Sequence, residues 1–514
     1  MPDPLPGYDA APMKAPFAPP FLAGEPRATA LLSDGFRRPE DWLAEVRARA
    51  DFRVAPEVLQ AIRTFGPAGA RNLAALSERG TVAVVSGQQA GLFLGPLYTF
   101  YKALSAIAFA RAVERTTGAR CVPIFWLQSE DHDYAEIASC TVAPGLTLSL
   151  PLDDSICSVA HRQLPAEVSS LVAKLDDVLA PLPHAEEVLQ LVRESYVPGR
   201  SPVAAFAELL GRIFADEGLL LLDPRSEGVS RLSAPLYETA LRRSEEIEAI
   251  LVQRGSQLEA AGLAEQVQIR CGSPLVFFHG TTADGPRQRV WLAKRGELLE
   301  AARSQPLRLS SSALLRPLVQ DALLPSVAYV GGPAELGYLA QCAPLYPLFG
   351  VRPALASPRA RFRIVDARNA SLLQAMKLTP AELETPRQEL LVRLGSRTAN
   401  PSLEEQLLGE LPRLVQAAAA RHPALQRAAR RTQFSVERAV AKFVTRHARL
   451  LAQEDETIES RVDRLQAALF PQGAPQERID SLPYHAARHG LSTLKELALA
   501  HIQPGKATVE DLYP

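Results

Sequence analysis

This sequence predicts an α/β fold with a mainly parallel sheet, two inserted subdomains and a helical C-terminal domain. Three observations carry that prediction. Short, apolar, β-branched runs recur at TVAVVSG (81–87), RCVPIFWLQSE (120–130), GLLLLDPR (218–225), LLPSVAYVGG (323–332) and VRPALASPR (351–359). Helical patterns separate them, the alternation that builds parallel strands with crossover helices. Beyond residue 370 the strand signal stops and helical patterning continues to about 480. At 514 residues the chain is too long for one ordinary core.

The elements follow in order. After a Pro-rich start, RPEDWLAEVRARA reads as a helix with Pro39 in its first turn. The strand TVAVVSG leads to a helix from about Pro96 to Arg115, with Leu97, Tyr101, Leu104 and Ala108 on one stripe. Long intervals at about 145–195 and 262–310 exceed ordinary connections and predict small subdomains above the sheet. The expected organisation is a core over 1–370 carrying those insertions, a helical domain over 371–480, and a tail over 481–514 that packs back on the core. Between 436 and 469, Val440, Phe443, His447, Leu451, Ile458, Leu465 and Leu469 approximate an a/d register, interrupted by Glu454 and Arg461. Two readings stay open: a helical hairpin packed on its own domain, or the seam of a coiled-coil dimer.

Composition narrows the function. Lys+Arg 56 against Asp+Glu 57 gives a net charge of -1, no field for a polyanion, so nucleic acid is not the expected partner. Only eight of the basic residues are Lys. The N-terminus lacks the pattern of a signal peptide, and no stretch is apolar and long enough to span a bilayer, so no membrane is expected. Cys121, Cys140, Cys157, Cys271 and Cys342 are scattered and form no C-x-x-C pair, which predicts a cytoplasmic location and no zinc framework.

Ligands of open α/β sheets bind beyond the carboxyl ends of the strands, where strand order reverses. After the first strand come Gly87, Gln88, Gln89, Gly91 and Gly95, then a helix whose free N–H groups face the loop. A glutamine pair donates and accepts without charge, which suits a ribose, a carboxylate or an acyl oxygen; the plainer reading is a tight turn that satisfies its own carbonyls. No G-x-G-x-x-G or P-loop pattern occurs. The second strand ends in SEDHDYAEI, crowding Glu130, Asp131, His132, Asp133 and Glu136, which calls for ion pairing, a shifted pKa or a cation, unless it is only an acidic helix start. Asp223 and Arg225 follow the third strand. GGPAELGYLA follows the fourth, with Glu335 in a first helical turn. Arg359, Arg361 and Arg363 follow the fifth. Arg316, just before the fourth strand, is either a carboxylate host or the partner of Asp321 or another core acid.

The stretches SGQQAGLFLGPLYTFYKALS, PIFWLQSEDHDYAEI, LLRPLVQDALLPSVAYVGGPAELGYLAQ and LFPQGAPQERIDSLPYHAARHG together resemble the bacillithiol biosynthesis cysteine-adding enzyme family, BshC. The resemblance implies a Rossmann-like core with two connecting-peptide insertions, a C-terminal coiled coil that forms a homodimer, and a ligase that joins the carboxyl of cysteine to the amine of glucosaminyl-malate. Ser312 and Gln472 stand where that family commonly has Asn. On this reading Asp131, His132 and Asp133 orient or deprotonate the amine. Gly87, Gln88, Gln89, Gly91, Gly95 and Lys102 bind ATP or another adenine nucleotide, with Mg²⁺ as its companion. Trp126, Arg316, Gly332, Glu335 and Tyr338 contact substrate. The core is also similar in layout to class I aminoacyl-tRNA synthetases and nucleotidylyltransferases, with Gln88 and Gln89 standing where those enzymes carry an H-x-G-H-like loop. A neutral amide pair does not neutralise a developing pyrophosphate charge. Either Lys102, Arg359 and a metal ion supply the charge, or the chemistry is not ordinary adenylation. The rival to a ligase is a catalytically silent scaffold that binds a metabolite or nucleotide and uses its helices for partners.

Overall fold

Each of the five apolar runs becomes a strand of one sheet. The computed structural model describes residues 14–153, 155, 157–272, 274–290, 294–398, 407–409, 411–421, 423–454, 456–506 and 508–514. The Pro-rich start (1–13) and 291–293 of the second insertion lie outside the described residues. The chain divides into two compact units: Met1–Phe362 with Asp480–Glu510, and Arg363–Ile479 with Asp511–Pro514.

In the first unit the strands are β1 (Ile62–Arg63), β2 (Val82–Gln88), β3 (Cys121–Leu127), β4 (Ser139–Ala143), β5 (Leu146–Ser149), β6 (Leu220–Leu222), β7 (Val276–Phe278), β8 (Gln288–Arg289), β9 (Leu309–Ser311), β10 (Ser326–Gly331) and β11 (Leu355–Pro358). The main sheet has the order β1-β6-β3-β2-β10-β11, parallel throughout except that β1 runs antiparallel to β6 at the edge. In chain order its parallel strands therefore lie 3-2-1-4-5, the doubly wound arrangement, and the order reverses between β2 and β10. Their registers carry Val82↔Cys121 through Gln88↔Leu127 on one side of β2 and Val330↔Ser86 on the other.

β2 and β3 are buried along nearly their whole length, as expected of β-branched runs covered on both faces. The helix after β2 spans Tyr98–Thr117, is buried on most sides, and ends where Gly118 takes a left-handed φ of 72°. The first insertion holds the β4–β5 hairpin and the helices Val168–Leu179 and Ala185–Ser195. The second holds a three-stranded sheet ordered β8-β7-β9.

The second unit is helical, with Arg387–Thr398, Leu411–Arg421, Gln426–Glu454 and Glu456–Leu469 as its main elements. Its apolar core joins Leu373, Leu383, Leu390, Leu394, Val462, Leu465 and Leu469, with Ile458 packed against them. Leu465 is therefore not free to form a dimer seam, a correction to that part of the heptad reading. The side chain of Leu451 lies outside the described residues. Gln472 takes a left-handed φ of 55°, a conformation Asn adopts more readily. Among the described residues no helix is long and apolar enough to cross a membrane.

Candidate active site

The reversal between β2 and β10 is lined by a buried ion pair. Lys102 lies one turn inside the helix Tyr98–Thr117, and helical side chains lean toward the N-terminus, which carries its ammonium back to the end of β2. There Lys102 Nζ donates to Gly87 O and to Gln88 Oε1, each at 2.8 Å, and pairs with Glu335 Oε2 at 2.5 Å. Glu335 stands in the first turn of the helix Pro333–Cys342 that follows β10. Its carboxylate also accepts from the Gly332 N–H at 2.7 Å, the Tyr329 hydroxyl at 2.5 Å and the Tyr338 hydroxyl at 3.3 Å. Burial works to raise the Glu335 carboxyl, but Lys102 and these donors outweigh it and hold it below its ordinary range. Burial pulls the Lys102 ammonium down; Glu335 opposes that, while Arg359 and Arg316 add to it.

Two further cations act on this pair. Arg316 opens the helix Arg316–Leu323, is 8% exposed, donates from Nη2 to the Tyr338 hydroxyl, and lies against the rings of Tyr329 and Tyr338. Asp321 is not its partner: that carboxylate accepts from Tyr346 OH at 2.8 Å and Ala354 N at 3.0 Å. Arg316 Nη1 is buried without a hydrogen-bond partner. Burial lowers the guanidinium's pKa, but Tyr329, Tyr338 and Glu335 override it, so the charge is retained. Arg359, at the end of β11, is 3% exposed, with its guanidinium 5.6 Å from the Tyr98 ring centroid. Lys102, Arg316 and Arg359 thus gather around the Glu335 carboxylate, and a guanidinium with a spare nitrogen, such as Arg316, suits an anion with planar oxygen pairs.

The glycine loop does not have the form of a phosphate cradle. Residues 92–94 make a tight 3₁₀ turn in which Phe93 and Leu94 take positive φ of 49° and 76° and bury their side chains. Gly91 and Gly95 pack on each other: a Cβ on Gly91 would lie 3.0 Å from Gly95 Cα. The Tyr196 hydroxyl donates to Gly91 O at 3.1 Å and accepts from Leu94 N at 3.4 Å, so the turn's polar groups are occupied from within. Gly87 serves the sheet, since a Cβ there would meet Trp126 O at 2.6 Å. Trp126, expected at the substrate, is 1% exposed and belongs to the apolar core.

The end of β3 carries a second cluster. Gln89 Nε2 donates to Asp131 Oδ2 at 2.7 Å and to Glu136 Oε2 at 2.8 Å, while Gln88 is held by Lys102. The adjacent glutamines thus face different clusters, which answers what a Gln-Gln pair does at this strand end. Asp131 Oδ1 accepts from Arg287 Nη1 at 3.1 Å and from the His132 N–H at 2.7 Å. Burial raises the Asp131 carboxyl, but His132, Arg287 and Gln89 hold it well below the usual carboxylate range. Glu130 accepts from the Ser311 hydroxyl at 2.6 Å. Asp133 caps the short helix Tyr134–Ile137, accepting from Glu136 N at 3.1 Å, a structural role instead of the expected contact with the amine. Beyond β6, Arg225 donates to Leu309 O and Ala283 O, and nearby His279 is pushed down to about 3 by burial and by Arg225.

Sequence reasoning missed Arg287 and Tyr329. Tyr329 left a signal, a hydroxyl inside a strand buried on both faces. Arg287 left none, because it sits in an insertion without a motif.

Known proteins resemble most of the chain. A family model described as "Bacillithiol biosynthesis BshC, N-terminal Rossmann-like domain" matches residues 13–360, and one described as "Bacillithiol biosynthesis BshC, C-terminal coiled-coil domain" matches 362–506. Relatives named "Putative cysteine ligase BshC" include one from Solibacter usitatus, 34% identical over 443 residues, and one from Koribacter versatilis, 32% identical over 444 residues. Each alignment covers 82% of this chain and 82% of the relative. A third, from Symbiobacterium thermophilum, is 30% identical over 455 residues and covers 81% of both.

Proposed function

This chain belongs to the bacillithiol biosynthesis BshC family, and from that premise we propose that it is a ligase joining the carboxyl of L-cysteine to the amine of glucosaminyl-malate. The observation that carries the reading is Arg316, a buried guanidinium with one unpartnered nitrogen, set beside Lys102 and Arg359 where strand order reverses. A malate carboxylate satisfies such a fork bidentately, and Tyr338 and Glu335 fix the fork's orientation. To Asp131 and His132, just past the end of the neighbouring strand, this reading assigns the orientation of the amine and of the carboxyl under attack.

A free carboxylate needs activation before an amine displaces its oxygen. ATP or another adenine nucleotide, with Mg²⁺, is therefore part of the proposal as a co-substrate. The Gly91–Gly95 turn does not fit its phosphates, and no step is assigned to that turn. One observation favours the scaffold reading: Gln88, Gln89 and Asp131 are all satisfied from within.

The deciding experiment incubates purified protein with cysteine and glucosaminyl-malate, with and without ATP and Mg²⁺, and reads bacillithiol by mass spectrometry. Product that disappears in Arg316→Ala supports the ligase. Folded protein that makes none under any of these conditions supports the scaffold.

A further inference from the structure

His132 Nδ1 lies 3.1 Å from Arg287 Nη1 and 3.3 Å from Asp131 Oδ1. These neighbours make opposite demands on one nitrogen. A guanidinium only donates, so accepting from Arg287 requires a bare Nδ1 and places the ring proton on Nε2. A bond to Asp131 requires Nδ1–H and leaves Nε2 bare.

The surroundings decide between the two. Asp131 already has four donors apart from the ring: Arg287 Nη1 at 3.1 Å, the His132 N–H at 2.7 Å, Gln89 Nε2 at 2.7 Å and the Asp133 N–H at 3.4 Å. Arg287 is fixed, with its side chain 9% exposed and its Cζ 3.9 Å from the Phe277 ring centroid. Its Nη2 donates to Ser311 O at 3.1 Å, and its Nε faces Ser310 Oγ at 3.4 Å. Nη1 carries two hydrogens, one for Asp131 and one for the imidazole. Glu136 is turned toward Gln89 and takes no part. The ring nitrogen stands nearer the guanidinium, at 3.1 Å, than the carboxylate, at 3.3 Å, and that carboxylate keeps its other donors without the ring.

We propose that Arg287, reaching in from the second insertion, is a positioning residue that holds His132 as its Nε2–H tautomer. His132 then donates a hydrogen bond to a reacting oxygen instead of taking a proton from the amine. The proposal rests on the ligase reading. As the amine adds to the activated cysteine carboxyl, the carbonyl oxygen gains negative charge, and a neutral imidazole N–H is a suitable donor to it. The His132 side chain is 41% exposed, which leaves the ring accessible for that contact.

The test is the tautomer itself. The full chain is labelled with ¹⁵N-histidine and its long-range ¹H–¹⁵N correlations are recorded at pH 8, the His132 signals being assigned by their loss in His132→Gln. The expected result is a proton on Nε2 in the wild type and its transfer to Nδ1 in Arg287→Met, where Asp131 takes the ring as replacement donor. A wild-type proton on Nδ1, an imidazolium at pH 8, or an unchanged tautomer in a folded Arg287→Met overturns the proposal. Activity gives a second reading that does not depend on Arg287→Met folding. His132→Ala loses roughly 10²-fold or more in kcat, as for a deleted oxyanion donor, while His132→Gln, which keeps an N–H but is no base, recovers most of it. Equal loss in both variants also overturns it. An Nε2–H wild type that makes no bacillithiol under any condition refutes the ligase reading alone.

Discussion

Replacing Glu335 by Gln removes a charge from the centre of the candidate site while keeping its shape. The carboxylate lies among Lys102, Arg316 and Arg359, and it accepts four contacts in the interior. Breaking a buried pair by removing one partner costs about 3–5 kcal/mol. The loss of Glu335 also removes the group that opposes burial at Lys102, so the ammonium is pulled down further than in the wild type, by burial and by Arg359 and Arg316.

The sign with pH follows from proton counting. A base depressed in the folded state binds fewer protons folded than unfolded, so stability rises with pH from the folded value up to the unfolded one. In the variant that window opens at lower pH than in the wild type. The penalty of Glu335→Gln therefore shrinks from pH 7 toward pH 9.5, by at most about 1.4 kcal/mol per unit. Glu335 itself is ionised in both states across that range and contributes no slope. Its depressed carboxyl instead gives the wild type stability that is lost as pH falls through the acid range, and the variant lacks that limb. Urea unfolding followed by fluorescence of the core tryptophans Trp42 and Trp126 measures both effects. A variant within 1 kcal/mol of wild type at pH 7 (the unit just above RT), or a penalty that stays flat to pH 9.5, would refute the reasoning.

Arg316→Lys keeps the charge but loses the fork, so the Michaelis constant for glucosaminyl-malate is expected to rise about tenfold or more, ~1.4 kcal/mol, with little change for cysteine. Steady-state kinetics with each substrate varied in turn checks this, and an equal rise for both points to structural damage. Gly87→Ala places a Cβ against the backbone oxygen of Trp126 at 2.6 Å, where neither strand has room to yield. We expect a loss of about 1–3 kcal/mol in denaturant unfolding, and a neutral result contradicts the packing argument. The homodimer remains a proposal, and its seam shifts to the helix Gln426–Glu454. There Val436, Val440, Phe443, His447 and Leu450 follow heptad spacing, and Phe443 and Leu450 are 56% and 48% exposed. Phe443→Glu with Leu450→Glu is expected to give a folded monomer by light scattering. A dimer that persists at micromolar concentration places the seam elsewhere.

Where strands and helices form was legible in the residues alone, because that depends on local periodicity. Runs such as TVAVVSG and SVAYVG are apolar enough to be buried on both faces, and such strands require covering helices. The sequence also marked the strand ends as the place for chemistry, and Gln88, Gln89, Lys102, Arg316 and Glu335 are found there. What it left open was which side chains meet. Gln88 and Gln89 are neighbours in the chain, yet Gln88, the last residue of β2, meets Lys102, and Gln89, just past the strand, meets Asp131. Trp126 looked like a substrate contact and became core, and Leu465 fitted a dimer register but filled its own unit. Arg287 is 156 residues from Asp131 and belongs to an insertion with no recognisable pattern. Local spacing encodes which face a residue takes, but the partner across that face is chosen by packing between distant segments. That choice is made only when the sheet, its crossover helices and the insertions close on one another.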